Sequence, residues 1–198
     1  MEQLLETFCL VDGEVLNVPY HEARVVRSVG NNFPIGKMVE TVRNQAAVEN
    51  ALQGRWRASV TYTAEGVERV RLVQYVKPSI CALRMISIEE NFYSKKWADR
   101  SRLNSYKEAL PQGVEPIFVL EGKVTDTTFS NVVVERDGTL YTPDMPLLAG
   151  TKRHRLLETG AVHSIPLRVD DLSLYERIHL VNAMLDPGEL VLSIDAVG

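Results

Sequence analysis

The sequence predicts an α+β protein built as two lobes. Strand-period and helix-period segments are mixed along the whole chain instead of being segregated by type. A polar interruption at Glu89–Ser94 divides the pattern near its middle. With 198 residues, 45% of them hydrophobic, each half is large enough to bury a core of its own. The expected division is an N-terminal α+β lobe over 1–90 and a C-terminal α/β lobe over 91–198, with a cleft between lobes as the natural place for a small ligand.

Each element has a local reason. Leu4–Leu16 reads as a hairpin, with Phe8, Leu10 and Val15 apolar and Asp12-Gly13 as its turn. Tyr20–Val29 reads as a helix carrying Ala23, Val26 and Val29 at helical spacing, and Ile35–Leu52 as a second helix. Arg55–Thr63 and Val67–Val76 alternate about Ala64-Glu65-Gly66, a hairpin signal, and Ile80–Ile88 is expected to continue that sheet. After the interruption, Asp99–Leu110 is expected to be helical and to end at Pro111-Gln112-Gly113. Strands follow at Ile117–Leu120, Asn131–Glu135 and Thr139–Tyr141, then a helix after Gly150 and a strand pattern over His179–Ile194.

Composition narrows the function classes. The net charge of −4, with no arginine-rich tract, argues against nucleic-acid binding. No stretch approaches ~18 uninterrupted apolar residues, and Met1 opens no basic-then-apolar leader, so a cytoplasmic protein without a membrane partner is expected. Cys9 and Cys81 lie in apolar, strand-like contexts and are expected to be buried thiols. Without a CxxC or Cys/His cluster, no metal site is expected.

The segment Glu121–Asn131 carries the strongest chemical signal. It sets one carboxylate, Asp126, among the hydroxyls of Thr125, Thr127, Thr128 and Ser130 and the amide of Asn131. Further on, Gly150 opens a helix beginning Thr151-Lys152-Arg153, where exposed backbone N–H groups and the helix dipole favour an anion. Such a pair of features suits a ligand with a protonated ring nitrogen at one end and an anion at the other. An aspartate in a turn is by itself ordinary, as is an arginine on a helix such as Arg24. Lys152 and Arg153 read as solvated cations or as additional positive field.

Taken together, these motifs resemble the fold-type-IV, D-amino-acid aminotransferase-like enzymes that use pyridoxal 5′-phosphate (PLP): class IV aminotransferases and 4-amino-4-deoxychorismate lyase. Leu5-Glu6-Thr7, Asp12-Gly13 and His21-x-x-Arg24 are similar to the family's FET…DG…HxxR run, and the resemblance makes Arg24 a phosphate ligand. Val124-Thr125-Asp126 followed by Ser130-Asn131 resembles a VT-acid-x-x-x-SN motif, with aspartate where the family usually has glutamate. The resemblance gives Asp126 the ring nitrogen and adds Ser130 and Asn131 to the cofactor contacts. Leu147-Leu148-Ala149-Gly150 resembles LLxG and implies Gly150 and Thr151 at the phosphate. Lys96-Trp97-Ala98-Asp99-Arg100-Ser101 resembles a K-[YF]-x-D-R-S variant, so Lys96 is the expected Schiff-base lysine and catalytic base, with Lys95 the second candidate. Leu180-Val181-Asn182-Ala183-Met184 is similar to a lyase segment, and Asn182 is a candidate substrate ligand, or else a strand amide satisfied by backbone.

The resemblance implies a homodimer acting on a small-molecule amine or amino acid. It leaves three functions open: release of pyruvate from an amino-chorismate, amino transfer from branched-chain or D-amino acids, and ligand binding without turnover.

Overall fold

The computed structural model describes residues 2–198. The chain forms two compact units. One holds the residues through Lys77 together with Lys95–Asp99, and the other holds Pro78–Ser94 with Arg100–Gly198.

The first unit is an antiparallel sheet in the order β2-β1-β3-β4, made of β1 (Leu4–Val11), β2 (Glu14–Val15), β3 (Arg55–Thr63) and β4 (Gly66–Gln74). Helices α1 (Val18–Val29) and α2 (Ile35–Val48) pack in the same unit. Side chains alternate across a strand, so Leu4, Glu6, Phe8 and Leu10 share the buried face of β1. Phe8 and Leu10 join Val25, Met38, Val42 and Val60 in one core. Helix α2 stops at Val48, short of the expected Leu52. Asn50 adopts the left-handed conformation (φ 54°), and the N–H groups of Asn50 and Ala51 turn back to the carbonyls of Ala47 and Ala46. That is a Schellman-type cap, with asparagine at the position glycine usually takes.

The second unit is a mixed sheet, β10-β9-β8-β7-β6-β5, with β11 pairing both β8 and β12. Its strands are β5 (Ala82–Ile88), β6 (Val114–Leu120), β7 (Lys123–Thr127), β8 (Asn131–Arg136), β9 (Thr139–Pro143), β10 (His163–Ile165), β11 (Arg177–Val181) and β12 (Val191–Ser193). Helix α3 (Ser101–Glu108) and helix α4 (Thr151–Glu158) complete it. Strand β5 corrects the sequence reading. It does not extend the first sheet but pairs in parallel with β6, from Ala82↔Val114 to Ile88↔Leu120. The division therefore falls at Lys77/Pro78 rather than near residue 90, and Lys95–Asp99 rejoins the first unit through backbone bonds from Leu5 N–H to the Lys96 carbonyl and from Ala98 N–H to the Gln3 carbonyl. Period-two alternation reveals a strand but not its partner. The short β10, of mixed polarity, was not anticipated.

Cys9 is buried in β1, but Cys81 is exposed just before β5 begins, and both are free thiols. The burial expected of Cys81 is corrected for the same reason, since its segment lies outside the first sheet. Among the described residues no helix is long and apolar enough to cross a membrane, and no cluster of three potential metal ligands occurs.

Met38 is fully buried on α2. Met38→Ala is expected to destabilise the first unit by about 2–5 kcal/mol, read as a lower denaturation midpoint with an unchanged far-ultraviolet circular dichroism spectrum.

Candidate active site

In the first unit, the register of β1 forces a carboxylate, Glu6, into the core. His21 and Arg24 stand three residues apart on α1 and therefore project from one face of it. Both reach Glu6. Arg24 donates from Nε to Oε1 and Oε2 at 3.1 and 3.2 Å and from Nη2 to Oε1 at 2.5 Å, while His21 Nδ1 lies 2.6 Å from Oε1. Burial alone would raise the Glu6 carboxyl, but the Arg24 guanidinium and the His21 hydrogen bond outweigh it and bring it down to about 2. Burial depresses His21, the nearby charges of Arg24 and Lys96 add to that, and Glu6 opposes it. His21 is thus a neutral imidazole whose Nδ1–H serves the carboxylate. It acts on Glu6, not directly on Arg24.

Lys95 and Lys96 differ in their surroundings. Lys95 Nζ lies 3.7 Å from the exposed Glu2 and 5.4 Å from the centre of the Trp97 ring. Lys96 is half-buried, and its charge is felt by the fully buried His21. Leu4 and Trp97 form an antiparallel bridge that fixes this segment to the start of β1.

In the second unit, β7 and β8 are joined through Thr128-Phe129-Ser130, and the register places Asp126 opposite Asn131. Both are buried. Asp126 Oδ1 accepts from Asn131 Nδ2 at 2.8 Å and Oδ2 accepts from the Leu148 N–H at 2.8 Å. Asn131 Nδ2 also donates to the Leu148 carbonyl. Desolvation pushes the Asp126 carboxyl up to about 7, against the opposing pull of these hydrogen bonds and of the Arg153 charge. Ser130 is buried, with its hydroxyl 2.7 Å from that of Thr127.

Gly150 caps the start of α4 with ordinary extended backbone (φ −69°, ψ 146°). Its role is close approach, because a Cβ there would lie 1.9 Å from Asn131 Oδ1. Thr151 is buried at the first position of α4. Lys152, read from sequence as solvated, is buried and pairs with Asp186 at 2.6 Å. Arg153 donates from Nη2 to the Pro143 carbonyl. Asn182 has its amide engaged at both ends, Nδ2 to the Phe129 carbonyl and Oδ1 from the Met184 N–H, which makes it a brace for the β7–β8 turn.

Residues 105–186 match the model of the amino-transferase class IV family. A protein of Schizosaccharomyces pombe, provisionally named an aminodeoxychorismate lyase, is 28% identical over 90% of this chain and 81% of its own length. A crystal structure from Haemophilus somnus 129pt, provisionally described as a 4-amino-4-deoxychorismate lyase, superposes with a TM-score of 0.80 at 27% identity and covers 93% of this chain and 97% of that one. The chain is similar to the class IV aminotransferases over residues 105–186, and to these two proteins over nearly its whole length. A hypothetical aminotransferase from Mycobacterium tuberculosis in its PLP-bound form shares the class IV fold, with a TM-score of 0.75 at 18% identity over 99% of this chain and 81% of that one.

Sequence reasoning passed over Glu6, Arg100 and Glu115. Glu6 stood inside the quoted motif, and the signal that could have found it was its position on the apolar face of β1. Arg100 stood in the Lys96–Ser101 run without a role of its own, and Glu115 offered no signal before tertiary contacts were known.

Two titrations of opposite sign follow. The folded value of Glu6, about 2, lies below its ordinary 4.5. Its contribution, roughly 3 kcal/mol, is therefore present above pH 4.5 and lost as pH falls toward 2. The folded value of Asp126, about 7, lies above its ordinary 3.8. It favours folding below pH 3.8, and that contribution, roughly 4 kcal/mol, is lost as pH rises to 7. Asp126→Asn is expected to flatten the stability of the ligand-free protein between these values and to stabilise it above pH 7, as measured by denaturant titration across pH. Gly150→Ala is expected to cost about 1–3 kcal/mol and to separate Asn131 from Asp126, visible as a lower thermal midpoint.

Proposed function

We propose that this protein is a PLP-dependent enzyme that releases pyruvate from 4-amino-4-deoxychorismate and leaves 4-aminobenzoate. The observation that carries the cofactor reading is Asp126: a buried carboxylate, held by two hydrogen bonds, in a place so desolvated that a cation beside it would be strongly favoured. A protonated pyridine nitrogen is such a cation. The start of α4, with Gly150 and the buried Thr151, suits a phosphate. Arg24 would add a phosphate contact, since its bonds to Glu6 use Nε and Nη2 and leave the Nη1 edge outside that pair. Ser130 and Asn131 would hold the ring side.

PLP, when bound, supplies an electron sink for a carbanion. The chain's own groups do the rest. Asp126, ionised by its cationic partner, keeps the ring nitrogen protonated. Asn131 and the Leu148 N–H keep the carboxylate aimed. Lys96 would supply the amine that holds the cofactor and would serve as the base that moves a proton, a role that needs a lowered pKa. Glu6 and His21 fix Arg24 in one geometry. Asn182 positions the turn, and its backbone bonds support that role over direct substrate contact.

The names of the Schizosaccharomyces and Haemophilus proteins support the lyase over its sister reactions. The family match and the Mycobacterium structure favour a second reading, amino transfer with a branched-chain or D-amino acid. We propose a cytoplasmic homodimer in either case, as the family resemblance implies.

Borohydride reduction of the PLP-loaded protein, followed by peptide mass mapping, is expected to leave a pyridoxyl group on Lys96. Lys96→Ala is expected to abolish the adduct, and Lys95→Ala to retain it. An adduct on Lys95 would move the catalytic role by one residue, and an adduct on neither would defeat the enzyme reading. Release of pyruvate and 4-aminobenzoate, set against spectral change with an amino acid alone, separates the two reactions.

A further inference from the structure

The turn that joins Asp126 to Asn131 is held from outside by two charged side chains. Arg100 Nη2 donates to the Thr128 carbonyl at 2.6 Å, and its Nη1 donates to the Tyr93 hydroxyl at 3.3 Å. Glu115, buried on β6, accepts from the Thr128 N–H at 3.1 Å and from the Thr128 hydroxyl, and pairs with Lys107 Nζ at 2.8 Å. The N–H, the hydroxyl and the carbonyl of one residue are all taken by ionic partners. The next carbonyl, that of Phe129, accepts from Asn182, and the Ser130 N–H donates to Thr127 Oγ1 at 3.0 Å.

A partly buried ionic network of this kind adds little net stability over packed apolar side chains, because desolvation of Glu115 offsets the attraction. What it adds is geometry. Charge-assisted hydrogen bonds are short and directional, and three on one residue leave it a single orientation. Asp126 lies two residues before Thr128 and Asn131 three residues after it, on the paired strands. A rotation at Thr128 would disturb both.

We propose that Arg100 and Glu115 are positioning residues, which clamp Thr128 and thereby hold the Asp126–Asn131 hairpin in the geometry that grips the cofactor. The inference rests on the PLP reading of that hairpin. It extends that reading to two residues that touch neither Asp126 nor Asn131.

The test uses the full-length chain with Arg100→Met, Arg100→Lys and, as a control, Arg102→Met. Arg102 lies on exposed α3 and pairs with Glu90 at 2.9 Å, away from the clamp. Two readouts are taken: amide hydrogen exchange in the ligand-free protein, and the PLP dissociation constant by absorbance titration well below the thermal midpoint. Arg100→Met is expected to speed exchange at 128–131 while the core strands stay protected, and to raise the PLP dissociation constant about tenfold, the equivalent of one charge-assisted hydrogen bond. Arg100→Lys is expected to recover part of both, and Arg102→Met to match the wild type.

Unchanged protection at 128–131, or an unchanged dissociation constant despite a lower midpoint, would overturn the proposal and leave Arg100 a stability residue. A wild-type chain that takes up no PLP, while Arg100→Met still loosens the hairpin, would uphold the clamp and sink the cofactor reading. Should Arg100→Met fail to fold, Thr128→Val removes the hydroxyl bond to Glu115 instead. It is expected to act in the same direction by a smaller factor, and no change in either readout would overturn the proposal.

Discussion

Burying a carboxylate where desolvation outweighs its hydrogen bonds and the pull of Arg153 is the constraint on which the second unit turns. Two hydrogen bonds and the charge of Arg153 are outweighed by desolvation, and the Asp126 carboxyl rises to about 7. The surrounding structure is arranged to keep it there. Asn131 faces it across the hairpin, Gly150 is reduced to a hydrogen so that Asn131 fits, and Leu148 offers its N–H.

The first unit handles its buried carboxylate in the opposite way. Glu6 is matched by a guanidinium and an imidazole from one helix face, and its carboxyl falls to about 2. Its charge is fully used inside the protein. The two acids show how carboxyls are shifted in opposite directions by their neighbours: Glu6 is held ionised by its partners, and Asp126 is pushed up by desolvation. Arg24 gains a fixed orientation from its three bonds to Glu6.

Much of the candidate site was legible in the sequence because its motifs are contiguous. Asp126, Ser130 and Asn131 fall on one hairpin, and Gly150 and Thr151 on one helix start, so local spacing placed them together. Arg24 was legible through its run with Glu6 and His21. The supporting groups were not. Glu115 and Arg100 meet Thr128 from separate elements, thirteen and twenty-eight residues away along the chain, and no local pattern encodes such a meeting. Lys152 looked solvated because its partner, Asp186, lies thirty-four residues on.

The sequence by itself determined most of the elements, the residues of the hairpin and the resemblance to the class IV aminotransferases, because periodicity, turn residues and short motifs act over a few residues. Only the tertiary structure decided partnership. It moved β5 into the second sheet, returned Lys95–Asp99 to the first unit, exposed Cys81 and gave Asn182 to the backbone. Strand alternation is the same whichever strand lies beside it, and a charged side chain reads as solvated until the group that buries it is known.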